Sequence, residues 1–221
     1  MWGILPLYWK VLQQVPAFQI LCHRIVWSVF FLLCIHLFRQ KFGWLKKVLH
    51  RPKIFLTFLL SSLLLSSNWF TYIWSVNHAH TIEASLGYFI NPLISVLLGV
   101  IFLHERPDKW SWLAIGLATV GIFYSIIVFG SVPWIAFILA FSFGLYGLIR
   151  KTAVLNSLQG LTLETLILSL PALTLLILFE MDGTGAFGHL TWNLNLVLMT
   201  TGIITSVPLL NSTSDARKHR F

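Results

Sequence analysis

Long apolar runs alternate with short polar segments along the whole chain. Eight such runs are present, and the longest contain about 20 residues, which is ~30 Å of helix and matches the hydrocarbon core of a bilayer. The runs cover residues 2–15, 17–38, 54–75, 84–103, 110–128, 133–149, 161–179 and 192–210. This pattern predicts an all-α transmembrane protein, a multi-span helical bundle with eight apolar segments.

Composition and the distribution of charge agree with a membrane protein. The chain is 57% hydrophobic and 10% charged, whereas soluble domains carry about 25% charged residues. The net charge of +8 raises the question of nucleic acid, but 13 of the 15 Lys and Arg residues fall in segments 39–53, 104–109, 150–151 and 217–220. These basic segments alternate along the chain with segments that are nearly uncharged or acidic, which is the positive-inside pattern. We therefore expect the lipid bilayer as a partner, no nucleic acid, and cytoplasmic N- and C-termini.

The fourth apolar run carries a polar stripe. Tyr88, Asn91, Ser95 and Gly99 recur at steps of three and four residues, so they share one helix face. Pro92 has no N–H, which removes a hydrogen bond from the Tyr88 carbonyl and predicts a kink. A kinked span with such a stripe needs neighbouring helices or a wet cavity on that side. Helix packing through small residues and a substrate-lining role both remain open.

The third apolar run offers a matching polar face. Asn68, Tyr72 and Ser75 are spaced i, i+4, i+7 and therefore lie on one side of the helix. If this face lies opposite the fourth run, it lines a central cavity, and the alternative is interhelical hydrogen bonding. The substrate-cavity candidates are Asn68, Tyr72, Tyr88, Asn91 and Ser95.

Three charged residues fall within or beside apolar runs, where a charge usually faces the protein interior or water. Arg24 lies ~10 Å inside the second run from its outer end. Its expected partner is Glu83, in either an anion- or proton-linked site or a structural ion pair. Glu164 lies near Arg150 and Lys151, and it either carries a coupling proton or forms a surface pair by snorkelling.

Other chemistry is sparse in the sequence. Several tryptophans, Trp69 among them, lie near predicted interfaces and are expected to anchor the chain in an aromatic belt. His78 and His80 lack further ligands for a metal, so neither a metal nor a cofactor is expected. No nucleophile, base and acid stand in a catalytic arrangement, and we expect no enzymatic activity.

A weak internal repeat relates the two halves of the chain. At an offset of 141 residues, Gly3 matches Gly144, Lys10 matches Lys151, and Ser28 matches Ser169. Five runs separate the copies, so they would cross the membrane in opposite directions. Inverted repeats of this kind build secondary transporters, which bind substrate near the midplane.

The stretch GYFINPLISVLLGVIFLHERPDKWSWLAIGLATVGI (residues 87–122) resembles the end of a repeat in the EamA, or drug/metabolite transporter, superfamily. Further stretches that carry the resemblance are HRIVWS, NWFTYIWSVN, FGSVP, AFSFGLYGLIRK and GIITSVPLL. The resemblance implies ten helices in two inverted five-helix repeats and a secondary transporter of small organic solutes in the bacterial inner membrane. The members that are most similar are linked to chloramphenicol sensitivity.

The resemblance also implies a division of the chain. Residues 1–128 correspond to a first five-helix repeat with a shortened first helix, 129–210 to three helices of a second repeat, and 211–221 to a divergent polar tail. We therefore expect eight of the ten helices, with both ends truncated. The alternative function is a truncated or frameshifted transporter remnant without activity. A coupling proton and a homodimer are further expectations that the resemblance leaves open.

Overall fold

The computed structural model describes residues 5–39, 43–130 and 132–218, and these residues form nine α-helices and no strand. The helices are α1 (Leu5–Val11), α2 (Ala17–Arg39), α3 (Gly43–Leu49), α4 (Pro52–Asn77), α5 (Thr81–Leu103), α6 (Lys109–Phe129), α7 (Trp134–Thr152), α8 (Ser157–Met181) and α9 (Trp192–Lys218).

Six of these helices, α2 and α4 to α8, are long and apolar enough to cross a membrane. They have 19 to 26 residues, or roughly 28–39 Å of helix, against a hydrocarbon core of about 30 Å. The predicted multi-span helical bundle is confirmed.

The first and last apolar segments differ from the prediction. Segment 2–15 forms only the seven-residue helix α1 within the described part of the chain. Helix α9 begins at Trp192 and continues past residue 210 as far as Lys218, into the segment predicted as a polar tail. Residues 219–221, the end of the predicted tail, lie outside the described residues.

Helix α5 continues through Pro92 as one element. It ends at Leu103 and is followed by His104, which has the left-handed backbone conformation φ 55°, ψ 32°, and the N–H of Glu105 donates to the carbonyl of Gly99 at 3.2 Å. A C-terminal residue of this kind closes a helix by satisfying a carbonyl that would otherwise lack a donor.

Helix α2 lies at the centre of the bundle and contacts α4, α8 and α9. Its side chains Ile20, Ile25 and Leu32 are buried in the largest apolar cluster. Helix α6 is the opposite case. It packs mainly on α5, and none of its described side chains is buried, so its surface is available to lipid.

The contacts at the two ends of the bundle are consistent with the alternating charges. At one end the Lys151 ammonium contacts the Glu105 carboxylate, which brings segments 104–109 and 150–151 together. The ends of α2 and α8 also meet through His36 and Thr162, whose side chains are 3.1 Å apart. At the other end Gln19 donates to the carbonyl of Thr184 at 2.7 Å.

Candidate functional site

A cavity of about 240 Å³ lies between α4, α5 and α7. Its walls combine aromatic rings, two amides and small residues. The lining residues are Asn68, Trp69, Ala84, Gly87, Tyr88, Asn91, Leu139 and Phe143. Three of the five sequence candidates for a substrate cavity, Asn68, Tyr88 and Asn91, are therefore brought together.

Close packing between α5 and α7 forms one wall of this cavity. A Cβ at Gly87 would lie 3.1 Å from the Cβ of Leu139 and 3.2 Å from the carbonyl oxygen of Ala136. Only glycine allows so close an approach without a shift of the helices. Further along the same interface, the buried residues Ile94 and Leu98 of α5 pack over Gly144 of α7.

Asn68 connects α4 to α7 and also lines the cavity. Its Nδ2 donates to the carbonyl of Leu139 at 2.9 Å and to the Ser142 hydroxyl at 3.0 Å. The two interpretations of Asn68 that the sequence left open, cavity lining and interhelical hydrogen bonding, thus both describe the same side chain. The second candidate on this helix face, Tyr72, is buried, and its ring packs edge-to-face on Tyr88 with centroids 5.7 Å apart. Ser75 is buried and donates to the carbonyl of Tyr72 within its own helix.

Ser95 does not join the cavity, which corrects the sequence interpretation of this residue. Its side chain is exposed and donates to Asn91 Oδ1 at 3.3 Å. The buried face of α5 runs through Gly87, Ile90 and Ile94 instead. This face lies about one residue, or ~100° of rotation, from the predicted polar stripe, so Ser95 turns away from α7.

Arg24 lies behind the cavity, beside the indole of Trp69. The guanidinium Cζ is 3.8 Å from the Trp69 ring centroid and 5.2 Å from that of Trp9, and the side chain is 2% exposed. The predicted partner Glu83 instead contacts His80, with Oε1 3.2 Å from Nδ1. The expected Arg24–Glu83 pair is therefore wrong. Two aromatic faces take the place of the carboxylate.

Glu164 is fully buried, so the expectation of a snorkelling surface pair is wrong as well. The hydroxyl of Ser61 donates to Oε1, and the phenol of Tyr146 donates to Oε2 at 3.4 Å. The Nε of Arg150 lies 3.8 Å from Oε1, and its Nη2 donates to the carbonyl of Ser157 at 2.9 Å. A buried carboxylate is stable only with such partners.

Sequence reasoning misses Ser61, Tyr146, Trp9 and the role of Trp69. The sequence places Trp69 in the aromatic belt, yet this residue is 4% exposed. Ser61 is 103 positions from Glu164, so no local spacing connects the two residues. The available signal is the carboxylate itself, because a buried charge within a span requires donors from neighbouring helices.

A second cavity of about 290 Å³ lies at the opposite end of α8, beside the loop that follows it. Gln19 holds this loop. It donates to the carbonyl of Thr184 and accepts the N–H of Ala186 at 3.0 Å. The ring of His23 also faces Phe187, with centroids 5.2 Å apart. The contacts fix the loop against the start of α2.

The chain resembles known membrane transporters along its length. The family profile described as the EamA-like transporter family matches residues 1–127. The chain is 47% identical over 223 residues to "Uncharacterized transporter YojE" of Bacillus subtilis. This alignment covers 99% of this chain and 74% of the relative.

Two further relatives carry the name "Protein RarD". The protein of Salmonella typhi is 43% identical over 220 residues, which is 100% of this chain and 75% of the relative. The protein of Escherichia coli K12 is 41% identical over 220 residues, with 100% and 74% coverage. The chain thus spans about three quarters of the length of these relatives.

The apolar helices and the similarity to known proteins support the same assignment. Six helices are long and apolar enough for a multi-pass membrane protein, and the resemblance seen in the sequence is confirmed by the family profile and by the relatives. The chain is a membrane transporter of the RarD type and belongs to the EamA-like transporter family.

Proposed function

We propose that the chain is part of a secondary transporter that moves a small organic solute by alternating access. The solute would bind in the cavity between α4, α5 and α7. The observation that carries the proposal is the lining of this cavity, where Asn68 and Asn91 supply amides among the aromatic rings of Trp69, Tyr88 and Phe143.

The size and lining of the cavity favour a small amphipathic solute. Its volume of about 240 Å³ is below the ~300–1,000 Å³ that is common for drug-sized ligands. Aromatic faces suit an apolar body, while a few polar groups orient a ligand and provide specificity. No catalytic chemistry is part of the proposal.

We assign a coupling proton, where transport uses one, to Glu164. A carboxyl group that carries a proton through a membrane protein needs a site away from bulk water and polar neighbours for both of its states. Glu164 is 0% exposed and has the hydroxyls of Ser61 and Tyr146 beside it. Arg150 supplies the positive charge that favours the ionised state.

The proposed location is the inner membrane, with the basic segments in the cytoplasm. Contacts between Lys151 and Glu105 support a common side for segments 104–109 and 150–151. The positive-inside rule then assigns this side to the cytoplasm and the loop after α8, which contains Asp182 and no Lys or Arg, to the outside.

Accessibility of Asn91 from both sides of the membrane tests alternating access without a known substrate. In a background with Cys22→Ser and Cys34→Ser, the Asn91→Cys variant should react with an impermeant methanethiosulfonate in right-side-out and in inside-out vesicles. The matched control is Gly121→Cys, on the lipid-exposed helix α6, where a Cβ would have no neighbouring atom within 4 Å. This control should stay unlabelled.

Labelling of the Asn91→Cys variant from one side only, or from neither side, would overturn alternating access through this cavity.

Uptake offers an independent check. Both Asn91→Ala and Tyr88→Ala should reduce the uptake of a transported solute into vesicles at least tenfold, because each side chain lines the cavity. Unchanged uptake in both variants would remove the cavity from the proposal.

A further inference from the structure

Arg24 places a positive charge directly behind the wall of the cavity. Its guanidinium lies beside Trp9 and Trp69, and Trp69 itself lines the cavity. The guanidinium Cζ is 3.8 Å from the Trp69 ring centroid, so only this one ring separates the charge from the cavity.

No carboxylate with a described side chain balances this charge. Each described ion pair uses another cation, and Asp108 accepts from the Ser111 N–H at the start of α6. The paired carboxylates are Glu83 with His80, Glu105 with Lys151, Glu164 with Arg150 and Glu180 with His189. Asp182 is exposed beyond the end of α8. In addition, the Nε of Arg24 is buried without a hydrogen-bond partner.

Aromatic contacts alone compensate only part of the cost of burying an ion. A cation–π contact is a weak interaction, whereas the removal of a guanidinium from water carries a large desolvation penalty. An anion near the guanidinium would supply the missing counter-charge. Coulomb attraction is stronger in a protein interior of low dielectric than in water.

The cavity can accommodate such an anion together with an apolar body. Asn91 Oδ1 accepts from Ser95, so the amide NH2 of Asn91 remains a donor for an acceptor such as a carboxylate oxygen. The rings of Trp69, Tyr88 and Phe143 provide the faces for an aromatic or aliphatic group. Charge and shape therefore point to the same class of ligand.

We propose that the transported solute is a small organic anion, a carboxylate on an aromatic or similar apolar body, and that Arg24 is the residue that selects its charge. The inference rests on the proposed function, because it names the substrate class of that cavity. Arg24 acts through the wall of the cavity and is therefore a specificity-determining residue.

A series of ligands of similar size and different charge tests the inference. Phenylacetate, phenylacetamide and phenethylamine share one ring and are anionic, neutral and cationic at neutral pH. Binding to the purified full chain is measured by scintillation proximity with each compound in tritiated form. Phenylacetate should bind at least tenfold more tightly than the amide and the amine, because only the anion gains from Arg24.

Variants at Arg24 identify the origin of this preference. Arg24→Gln should weaken phenylacetate binding at least tenfold and leave phenylacetamide binding unchanged, while Arg24→Lys should retain the preference for the anion. The control is Lys10→Gln, which removes an exposed cation from α1 and should change neither affinity. If Arg24→Gln does not fold, the relative affinities of the unmodified chain for the anion, the amide and the amine still test the inference.

The outcomes separate the inference from the proposed function. Equal or tighter binding of the amide or the amine overturns the anion assignment, and the absence of binding by all three compounds also overturns it. Neither result affects alternating access, which is judged by labelling of the Asn91→Cys variant from both sides. Failure of that labelling overturns the proposed function itself.

Discussion

The Nε of Arg150 lies 3.8 Å from Oε1 of Glu164, and the two side chains are 5% and 0% exposed. The pair joins the end of α7 to α8 at a point where α4 also contributes Ser61. The Phe58 ring of α4 also packs on this pair, with its centroid 5.6 Å from the guanidinium carbon. Three helices thus depend on one buried pair of charges.

Removal of one charge from this pair should destabilise the protein strongly. Glu164→Gln keeps an acceptor for Ser61 but leaves Arg150 as a buried, uncompensated cation. Breaking a buried pair in this way costs about 3–5 kcal/mol. The measurement is thermal unfolding in detergent, followed by the reaction of the buried thiol of Cys22 with a fluorogenic maleimide.

The control for Glu164→Gln is Glu180→Gln at the other end of α8. Glu180 contacts His189 at 2.9 Å, but both side chains are more than half exposed. An exposed pair contributes about 0–1 kcal/mol, so the unfolding temperature should change little. Equal losses in the two variants would contradict the structural role that we assign to Glu164.

Enlargement of Gly87 should separate α5 from α7. In Gly87→Val the new side chain meets the Ala136 carbonyl and Leu139, neither of which can move without a shift of α7. Overpacking of this kind costs about 1–3 kcal/mol. The same replacement at Gly121, where nothing lies within 4 Å, has the same helix propensity but no neighbour to displace.

The comparison of Gly87→Val with Gly121→Val is made by thermal unfolding in the same detergent. We expect a lower unfolding temperature only for Gly87→Val. If both variants unfold at the same temperature, the close approach of α5 and α7 is not a determinant of stability.

Cysteines at positions 105 and 151 should cross-link. The ammonium of Lys151 contacts the carboxylate of Glu105, so Glu105→Cys with Lys151→Cys places two thiols within reach of a short bismaleimide. In the control pair, Glu180→Cys replaces Glu105→Cys. Helix α8, which has 25 residues, separates position 151 from position 180, and its length is roughly 37 Å at ~1.5 Å per residue. Cross-linking is read as a mobility shift on a denaturing gel.

A cross-link in the control pair, or none between positions 105 and 151, would contradict the arrangement of helix ends. The same cysteines report orientation. An impermeant maleimide should reach position 151 in inside-out vesicles and position 180 in right-side-out vesicles, in agreement with the proposed cytoplasmic side.

The start of α6 should loosen in acid. Hydrogen bonds from the Ser111 hydroxyl and N–H lower the pKa of Asp108 below its usual value. A carboxyl with a lowered folded-state pKa stabilises the fold above its unfolded value of about 3.9, and the contribution disappears as the pH falls through the folded value. Amide hydrogen exchange at Ser111, corrected for its intrinsic pH dependence, should therefore accelerate in acid.

Variants of Asp108 separate capping from charge. Asp108→Asn keeps an oxygen that accepts from Ser111 and should show no acid transition, whereas Asp108→Ala should exchange rapidly at all pH values. If the acid transition persists in Asp108→Asn, a group other than Asp108 causes it.

The apolar pattern predicts most of the fold because burial in lipid requires long apolar helices with internal hydrogen bonds. The interior of the bundle is harder to predict. Arg24 is recognisable as a charge at membrane depth, but its aromatic neighbours Trp9 and Trp69 come from two other helices. A linear sequence shows how deep a residue lies, and it does not show which helix it faces.

The same limit explains why two candidate site residues have surroundings that differ from those predicted. Ser95 shares a stripe with Asn91 in the sequence, yet the small residue Gly87 decides which face of α5 meets α7, and Ser95 turns away. Glu164 is predicted at the correct end of α8, but its burial depends on Ser61, 103 positions earlier in the chain. Such contacts arise from tertiary packing.

The central position of α2 has a consequence for the synthesis of the protein. Ser28 and Gly202 are 174 positions apart, although their helices touch in the finished bundle. At ~5–20 residues per second, roughly 9–35 s pass before α9 can reach α2. Trp9 and Trp69, in contrast, belong to the first third of the chain, so Arg24 meets its aromatic neighbours early. The two indoles thus shield a newly inserted charge from lipid while the rest of the bundle is still being made.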